Sequence, residues 1–191
     1  LVPEMRRFID PVISNSLSSR LEIYDFKVNW AWVRLNGKTL GIYQTLPDEQ
    51  DNSNLELGKF SPNDLLYRED LTPKIIAEGN TWSDIFAEDS GWQIRNKPDD
   101  NDLAPYSAIQ KLIEINKLQG KEFYDKIGEI LDTDEYLKYA AHNTLMGDWH
   151  QEDFHNLNIV YLKEKGQLWF MPGDTSTNPV SVLLGRHFSK F

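Results

Sequence analysis

Three polar residues lie at the ends of predicted regular elements, where folded chains concentrate functional side chains. Asp148 follows a predicted helix, Asn158 precedes a predicted β-hairpin, and Asp174 comes soon after that hairpin. Since a hairpin brings its two ends together, Asn158 and Asp174 should be neighbours. Their amide and carboxylate oxygens suit Mg²⁺ or Mn²⁺, and Asp148 is placed to orient or deprotonate an attacking hydroxyl.

Asp153 is a second candidate for the role of Asp148, which we rank first. Four residues separate Asp153 from Asn158, the spacing of the catalytic loop of protein kinases. Kinases also use the order helix, Asp, Asn, hairpin, Asp. The sequence has neither the glycine-rich loop nor the V-A-I-K strand of ordinary eukaryotic-type kinases, which argues against that class. The simpler alternative is that these side chains only cap loop and hairpin ends.

A zinc site in the same loop is a weaker hypothesis. His150, Glu152, Asp153 and His155 are close in sequence but match neither H-E-x-x-H nor H-x-x-E-H spacing. We therefore expect this cluster to be solvated.

An N-terminal hairpin is the clearest local element. Residues 26–35 alternate apolar side chains, Asn36-Gly37 suits a type I′ turn, and residues 38–43 return. The alternation predicts that Trp30 and Trp32 face a core. An exposed pair would instead fit a tryptophan-rich carbohydrate-binding module, which we rank last.

The elements that must position Asp148, Asn158 and Asp174 lie in the C-terminal half. The apolar spacing predicts helices over residues 107–118 and 122–131, and then a third helix capped by Asp132 with Glu135 as its capping-box partner. Leu137, Ala141 and Leu145 would form the apolar face of this third helix, and Gly147 would end it. A second hairpin is predicted over residues 159–162 and 167–171.

Residues 46–102 are broken by Pro, Asp and Asn into short pieces, among which residues 65–68 suit a strand. The acidic run at residues 99–102 resembles a solvated connector. We therefore predict an N-terminal β-rich lobe over residues 1–102 and a C-terminal helical lobe with the second hairpin over residues 103–191.

The composition excludes several classes of protein. The 191 residues include 30 acidic and 20 basic side chains, a net charge of −10, which argues against nucleic acid as the main partner. The absence of cysteine excludes disulfides and thiolate catalysis. The longest apolar runs are too short to span a membrane. An aromatic content of 12% is enough for a packed core.

Several segments together resemble the CotH family, the spore-coat protein H-like atypical kinases. The N-terminal match is WVRLNGKTLGIY at residues 32–43, followed by an acidic stretch with Glu49. The C-terminal matches are DTD at residues 132–134, YAA at 139–141, GDW at 147–149, NIVY at 158–161 and FMPGD at 170–174. These segments cover about half of the chain, and their order and spacing carry the resemblance.

The resemblance implies an α+β, bilobal protein-kinase-like fold in a form that is short for the family, with an antiparallel N-terminal sheet lobe and a mainly helical C-terminal lobe. It implies binding of ATP with Mg²⁺ or Mn²⁺ and phosphoryl transfer to Ser or Thr hydroxyls of a protein substrate. By position, Asp148 matches the catalytic Asp, and Asn158 and Asp174 match the metal ligands. Glu49 and Arg68 match nucleotide-side residues. A spore coat, cell surface or secreted location is also implied.

The sequence departs from the family pattern at three positions. Ser176 occupies the second position of the usual Asp-x-Asp, Arg68 replaces a Lys, and Glu49 stands about two residues late. The alternative function is therefore a catalytically inactive pseudokinase, acting as a structural or interaction protein in a spore coat or surface assembly. Transfer of AMP or glutamate on the same fold is a further alternative.

Overall fold

The structure, a computed structural model, describes residues 10–23, 29–45, 60–61, 63–69, 86, 91–96, 106–146 and 157–172. Within these residues the chain is α+β, with four helices and six strands. The helices are α1 (Asp10–Leu21), α2 (Ser107–Asn116), α3 (Gly120–Ile127) and α4 (Thr133–Met146). The strands are β1 (Asn29–Leu35), β2 (Lys38–Thr45), β3 (Leu65–Glu69), β4 (Trp92–Ile94), β5 (Asn158–Leu162) and β6 (Gln167–Met171).

The first hairpin forms as the sequence predicts. Strands β1 and β2 pair antiparallel, and Asn36 and Gly37 have φ angles of 50° and 78°, as a type I′ turn requires. The predicted burial of its tryptophans is wrong, because Trp30 is 45% exposed and Trp32 is 72% exposed. Their shared face carries Ile42, also exposed, opposite Trp32. Alternation placed the two rings on one face but did not reveal what lies over that face.

The second sheet has the strand order β4-β3-β5-β6, and every neighbouring pair is antiparallel. The second hairpin and the strand at residues 65–68 are thereby confirmed. This sheet joins β3 and β4, from before residue 102, to β5 and β6, from after it. The division into lobes at that residue stays a prediction.

The two faces of this sheet have different surroundings. One face packs against the helices, where Tyr67, Ile159 and Phe170 share a buried cluster with Ile109 of α2 and Tyr139 of α4. The other face carries a separate, smaller cluster formed by Phe60, Leu66, Val160, Leu162 and Met171, with Trp169 against it. Successive residues along each strand point to opposite faces and therefore pack in different hydrophobic clusters.

Helix α3 ends earlier than its apolar pattern predicts. It stops at Ile127, whereas the prediction extended to residue 131. Ile130 and Leu131 leave the helix and reach the sheet, where the Leu168 N–H donates to the Ile130 carbonyl at 2.7 Å and Leu131 forms a parallel bridge with Leu168. Burial of both side chains against the sheet outweighs another turn of helix.

Helix α4 begins where predicted but presents a different face to the protein. Asp132 Oδ1 accepts from the N–H groups of Asp134 and Glu135, whereas the Glu135 carboxylate pairs with Lys138 Nζ at 2.6 Å. The predicted apolar face is wrong, since Leu137 is 62% exposed and Leu145 is exposed as well. The buried face instead consists of Tyr139, His142, Asn143 and Met146.

Candidate functional site

Two of the six predicted site residues lie within the described residues. Asn158 is the first residue of β5, and Arg68 belongs to β3. Asp148, Asp153, Asp174 and Glu49 lie outside the described residues. Their roles therefore stay predictions, and the geometry of the candidate site is that of Asn158, Arg68 and their neighbours.

The sheet brings Asn158 and Arg68 together. The register of β3 and β5 places the two residues directly opposite each other. On the other side of Arg68, the register with β4 places Gln93, and on the other side of Asn158, the register with β6 places Met171. Directly opposed residues point to the same face of a sheet, so these four side chains form one row across it.

This row lies on the sheet face that is opposite the helices. Met171 in the row and its neighbours Leu66 and Val160 on that face are at most 1% exposed and belong to the smaller cluster. Asn158 is 2% exposed, Arg68 is half-buried and Gln93 is exposed. The row therefore runs from a buried amide to a solvent-accessible edge at β4. An amide and a guanidinium on a largely apolar face are chemically suited to a polar ligand.

The second hairpin also fixes where the chain leads after the site. Asn158 pairs with Met171, and Asp174 follows Met171 by three residues. The hairpin prediction is confirmed up to Met171, so the chain towards Asp174 leaves β6 directly beside Asn158. The proximity of the Asp174 side chain to Asn158 stays a prediction.

A buried hydrogen-bond network that the sequence does not predict holds β3 in this position. Asp64 Oδ2 accepts from the Ser61 N–H at 2.8 Å, and its Oδ1 accepts from the Lys163 N–H at 2.9 Å. Asn96 Oδ1 accepts from the Leu66 N–H at 2.7 Å, and its Nδ2 donates to the Asp64 carbonyl at 2.6 Å. These bonds tie the start of β3 to the end of β4 and to the β5–β6 turn.

The signal for this network in the sequence is slight. Asp64 follows Pro62-Asn63, a turn-forming segment in which Asp often bonds to nearby backbone, as it does here with Ser61. Its bond to Lys163 joins residues 99 positions apart, which no local pattern specifies. Asn96 similarly acts across the sheet.

A second buried polar cluster lies between α1 and α4, the helix that leads towards Asp148. His142 is fully buried, with Nε2 3.2 Å from the Ser14 carbonyl oxygen and 3.1 Å from Ser14 Oγ. Its Nδ1 lies 3.2 Å from the Asn143 side-chain oxygen. Burial lowers the pKa of His142, against the opposing effect of its hydrogen bond to the Ser14 carbonyl. The imidazole is therefore neutral at pH 7, and His142 and Asn143 are buried structural residues between α1 and α4.

The tautomer follows from these partners. The Ser14 carbonyl can only accept, so Nε2 carries the proton and Nδ1 is an acceptor. Asn143 Nδ2 has no hydrogen-bond partner within the described part of the chain. Rotating that amide by half a turn places Nδ2 against Nδ1 and satisfies both groups.

The metal hypothesis depends on oxygen ligands. Among the described residues, no group of three or more His, Cys, Asp or Glu side chains is arranged to hold a metal ion. Asn158 is the one predicted ligand there, and its amide oxygen fits the hard-oxygen chemistry of Mg²⁺ and Mn²⁺. All four residues considered as zinc ligands lie outside the described residues, namely His150, Glu152, Asp153 and His155.

Comparison with known families decides the relationship. A family model described as CotH kinase protein matches residues 7–177, which is most of the chain and includes every predicted site residue. The chain belongs to this family. The description of this family indicates a kinase-like protein. A kinase-like family suggests the use of a nucleotide, a divalent metal and a protein substrate.

Two negative findings accompany the family match. No curated protein matches this chain. In the described residues, every helix is too short or too polar to cross a bilayer.

Proposed function

We propose that this CotH family member is a phosphotransferase that moves the γ-phosphoryl group of ATP to a Ser or Thr hydroxyl of a protein, with Mg²⁺ or Mn²⁺, on a bilobal kinase-like fold. The observation that carries the proposal is the register that sets Asn158, in the first strand of the predicted metal hairpin, opposite Arg68 in the neighbouring strand β3. The family match extends across both strands.

Each polar residue has a distinct role in the proposed reaction. Asp148 orients the substrate hydroxyl and receives its proton as the hydroxyl oxygen bonds to the γ-phosphorus. The bond from that phosphorus to the bridging oxygen breaks, and ADP leaves with the bonding electrons. Arg68 supplies positive charge to the phosphates, as the Lys that it replaces would. Its guanidinium is a planar group with several donors, whereas the ammonium of Lys is a point charge. Asp153 is the alternative to Asp148, and Glu49 lies on the nucleotide side.

Asn158 and Asp174 would hold the divalent ion, which when bound neutralises phosphate charge. The near-complete burial of Asn158 keeps its amide away from bulk water, where competing hydration would weaken its contact with an ion. Most of the rate enhancement would then come from positioning and electrostatics.

ATP turnover in the presence of Mn²⁺ tests this function. Asp174→Ala should abolish metal-dependent turnover, because it removes the carboxylate of the proposed ligand pair. Asp125→Ala is the matched control, since Asp125 pairs with Lys121 on the exposed surface of α3. Turnover that is unchanged in Asp174→Ala, or absent from the unmodified protein, would contradict the proposal.

A pseudokinase that acts as a structural or interaction protein, in a spore coat or at a cell surface, is the second candidate. Ser176 favours it, because a serine replaces the second carboxylate of the family's Asp-x-Asp. Titration calorimetry with ATP and Mn²⁺ separates the two candidates. The phosphotransferase gives heat that depends on the metal, whereas a purely structural protein gives none.

A further inference from the structure

Arg95 has a guanidinium group that the rest of the described chain does not satisfy. Its backbone N–H donates to the Leu66 carbonyl at 2.9 Å, which places it beside β3 just after β4 ends. In its half-buried side chain, Nη1 makes one long contact of 3.4 Å with Gln93 Oε1, while Nε is buried and has no hydrogen-bond partner. A charged donor in that condition destabilises the protein unless an acceptor reaches it.

Arg95 shares its sheet face with the candidate site. Gln93 lies directly opposite Arg68, and Arg95 is two residues beyond Gln93 in the same direction. Residues two apart in an extended chain point the same way, and the contact between Arg95 and Gln93 agrees with this. Arg95 and Arg68 are therefore diagonal neighbours, within reach of each other for long side chains.

The described residues supply no carboxylate for Arg95. Asp64 is close by, because its backbone carbonyl accepts from the side chain of Asn96. However, Asp64 is buried with both carboxylate oxygens already bound to backbone N–H groups, those of Ser61 and Lys163. Arg95 therefore has no carboxylate partner among the described residues, and an external anion would supply an acceptor for its buried Nε.

We infer that Arg95 and Arg68 form an anion-binding pair that takes the phosphate groups of the nucleotide, with Arg95 as a binding residue that the family motifs do not single out. This inference rests on the proposed function. Guanidinium forks bind phosphate through paired hydrogen bonds, which the free Nε and neighbouring nitrogens of Arg95 can supply. Two strand spacings, about 10 Å, separate Arg95 from the strand of Asn158, a distance that a metal-bound triphosphate and an arginine side chain can bridge.

Binding titrations with Mn²⁺-ATP, inorganic tripolyphosphate and adenosine test the pair. Arg95→Gln should weaken binding of both phosphate ligands about tenfold, equivalent to about 1.4 kcal/mol, and leave adenosine binding unchanged. Arg95→Lys should recover part of the loss, because it restores the charge without the fork. Arg20→Gln, in the last turn of α1, is the control for net charge and should bind as the unmodified protein does.

The outcomes separate this inference from the proposed function. Tripolyphosphate binding that depends on Arg95, in a protein without ATP turnover, would support the arginine pair and contradict the proposed phosphotransferase. Normal ATP turnover, together with equal phosphate affinity of Arg95→Gln and the unmodified protein, would support the phosphotransferase and overturn the pair. If Arg95→Gln does not fold, equal affinity of Arg95→Lys and the unmodified protein for both phosphate ligands overturns the pair.

Discussion

At the scale of single residues, the sheet face that carries Asn158 combines apolar packing with a few polar side chains. Leu66, Val160 and Met171 exclude water from it, while Asn158 and Arg68 are aligned across two strands. An amide in such surroundings interacts more strongly with an ion or a phosphate than it would in water. The position of Asn158 is therefore set by packing, although its chemistry is polar.

The buried histidine between α1 and α4 is a second residue whose surroundings determine its chemistry. Its folded-state pKa lies below the ordinary value of 6.5 because of burial. His142 therefore binds a proton more readily in the unfolded chain than in the folded chain. The stability that His142 contributes is fully present above about pH 6.5 and is lost as the pH falls from there towards the folded-state pKa.

Stability measured as a function of pH checks this linkage. Urea unfolding of the unmodified protein at about pH 7.5 and about pH 5.5 should show a loss on acidification that is smaller in His142→Gln. One proton limits the effect to about 1.4 kcal/mol per pH unit. Glutamine keeps hydrogen-bonding groups at this position but cannot titrate in this range. The other histidines are present in both proteins, so the difference between the two pH dependences reports His142. An identical pH dependence would show that His142 takes up its proton without cost.

At the scale of elements, the first hairpin depends on a backbone conformation that favours glycine. Gly37 has φ +78°, where an added Cβ meets no atom but strains the backbone itself. Gly128 also has open space around it, but its φ of −65° suits any residue. The two glycines therefore differ in backbone conformation and not in crowding.

Alanine substitution at both glycines measures that difference. Gly37→Ala should destabilise the protein by about 1 kcal/mol and speed hydrogen exchange of the β1 and β2 amides. Gly128→Ala should be neutral or stabilise by up to about 1 kcal/mol, because it restricts only the unfolded chain. Equal effects of the two substitutions would contradict the type I′ turn as the source of the strain.

The elements that the sequence predicts correctly are those with local causes. The Asn36-Gly37 turn, the Asp132 cap and the hairpin ending at Met171 each depend on a few consecutive residues. The core positions of α2 were likewise predictable from its apolar spacing. Turn chemistry and periodicity are sufficient in these places.

The errors arise where distant partners decide the outcome. The buried face of α4 includes the polar His142 because Ser14, 128 residues away, supplies hydrogen bonds to it. The apolar Leu137 and Leu145 are therefore left in solvent. Helix α3 ends early because Leu168 pairs with the segment after it. Trp32 is exposed although apolar residues alternate along its strand. Such alternation predicts which side chains share a face but not whether other residues cover that face.

The same distinction applies to the candidate site. The sequence predicts that Asn158 lies just before the second hairpin, but not that Arg68, 90 residues earlier, lies opposite it. Only the resemblance to the family connected these two positions. The positions of Arg95 and Asp64 emerge from the strand register and from hydrogen bonds between residues that are distant in sequence.

At the scale of the whole molecule, one sheet connects the strand that carries Arg68 to the hairpin that carries Asn158. The chain is acidic overall, with a net charge of −10, so a face with two arginines is a local exception that would attract an anionic ligand. The helices cover the opposite face and stabilise the sheet without occupying the site.

The central claim is that Asn158 and Asp174 hold a divalent ion against a nucleotide, and a crystal soaked with Mn²⁺ and a nonhydrolysable ATP analogue tests it most directly. The account predicts an anomalous manganese peak about 2.2 Å from the side-chain oxygens of both residues, with triphosphate density extending towards Arg68. A soaked crystal that diffracts well and shows no such peak, or a peak bound elsewhere, would contradict it.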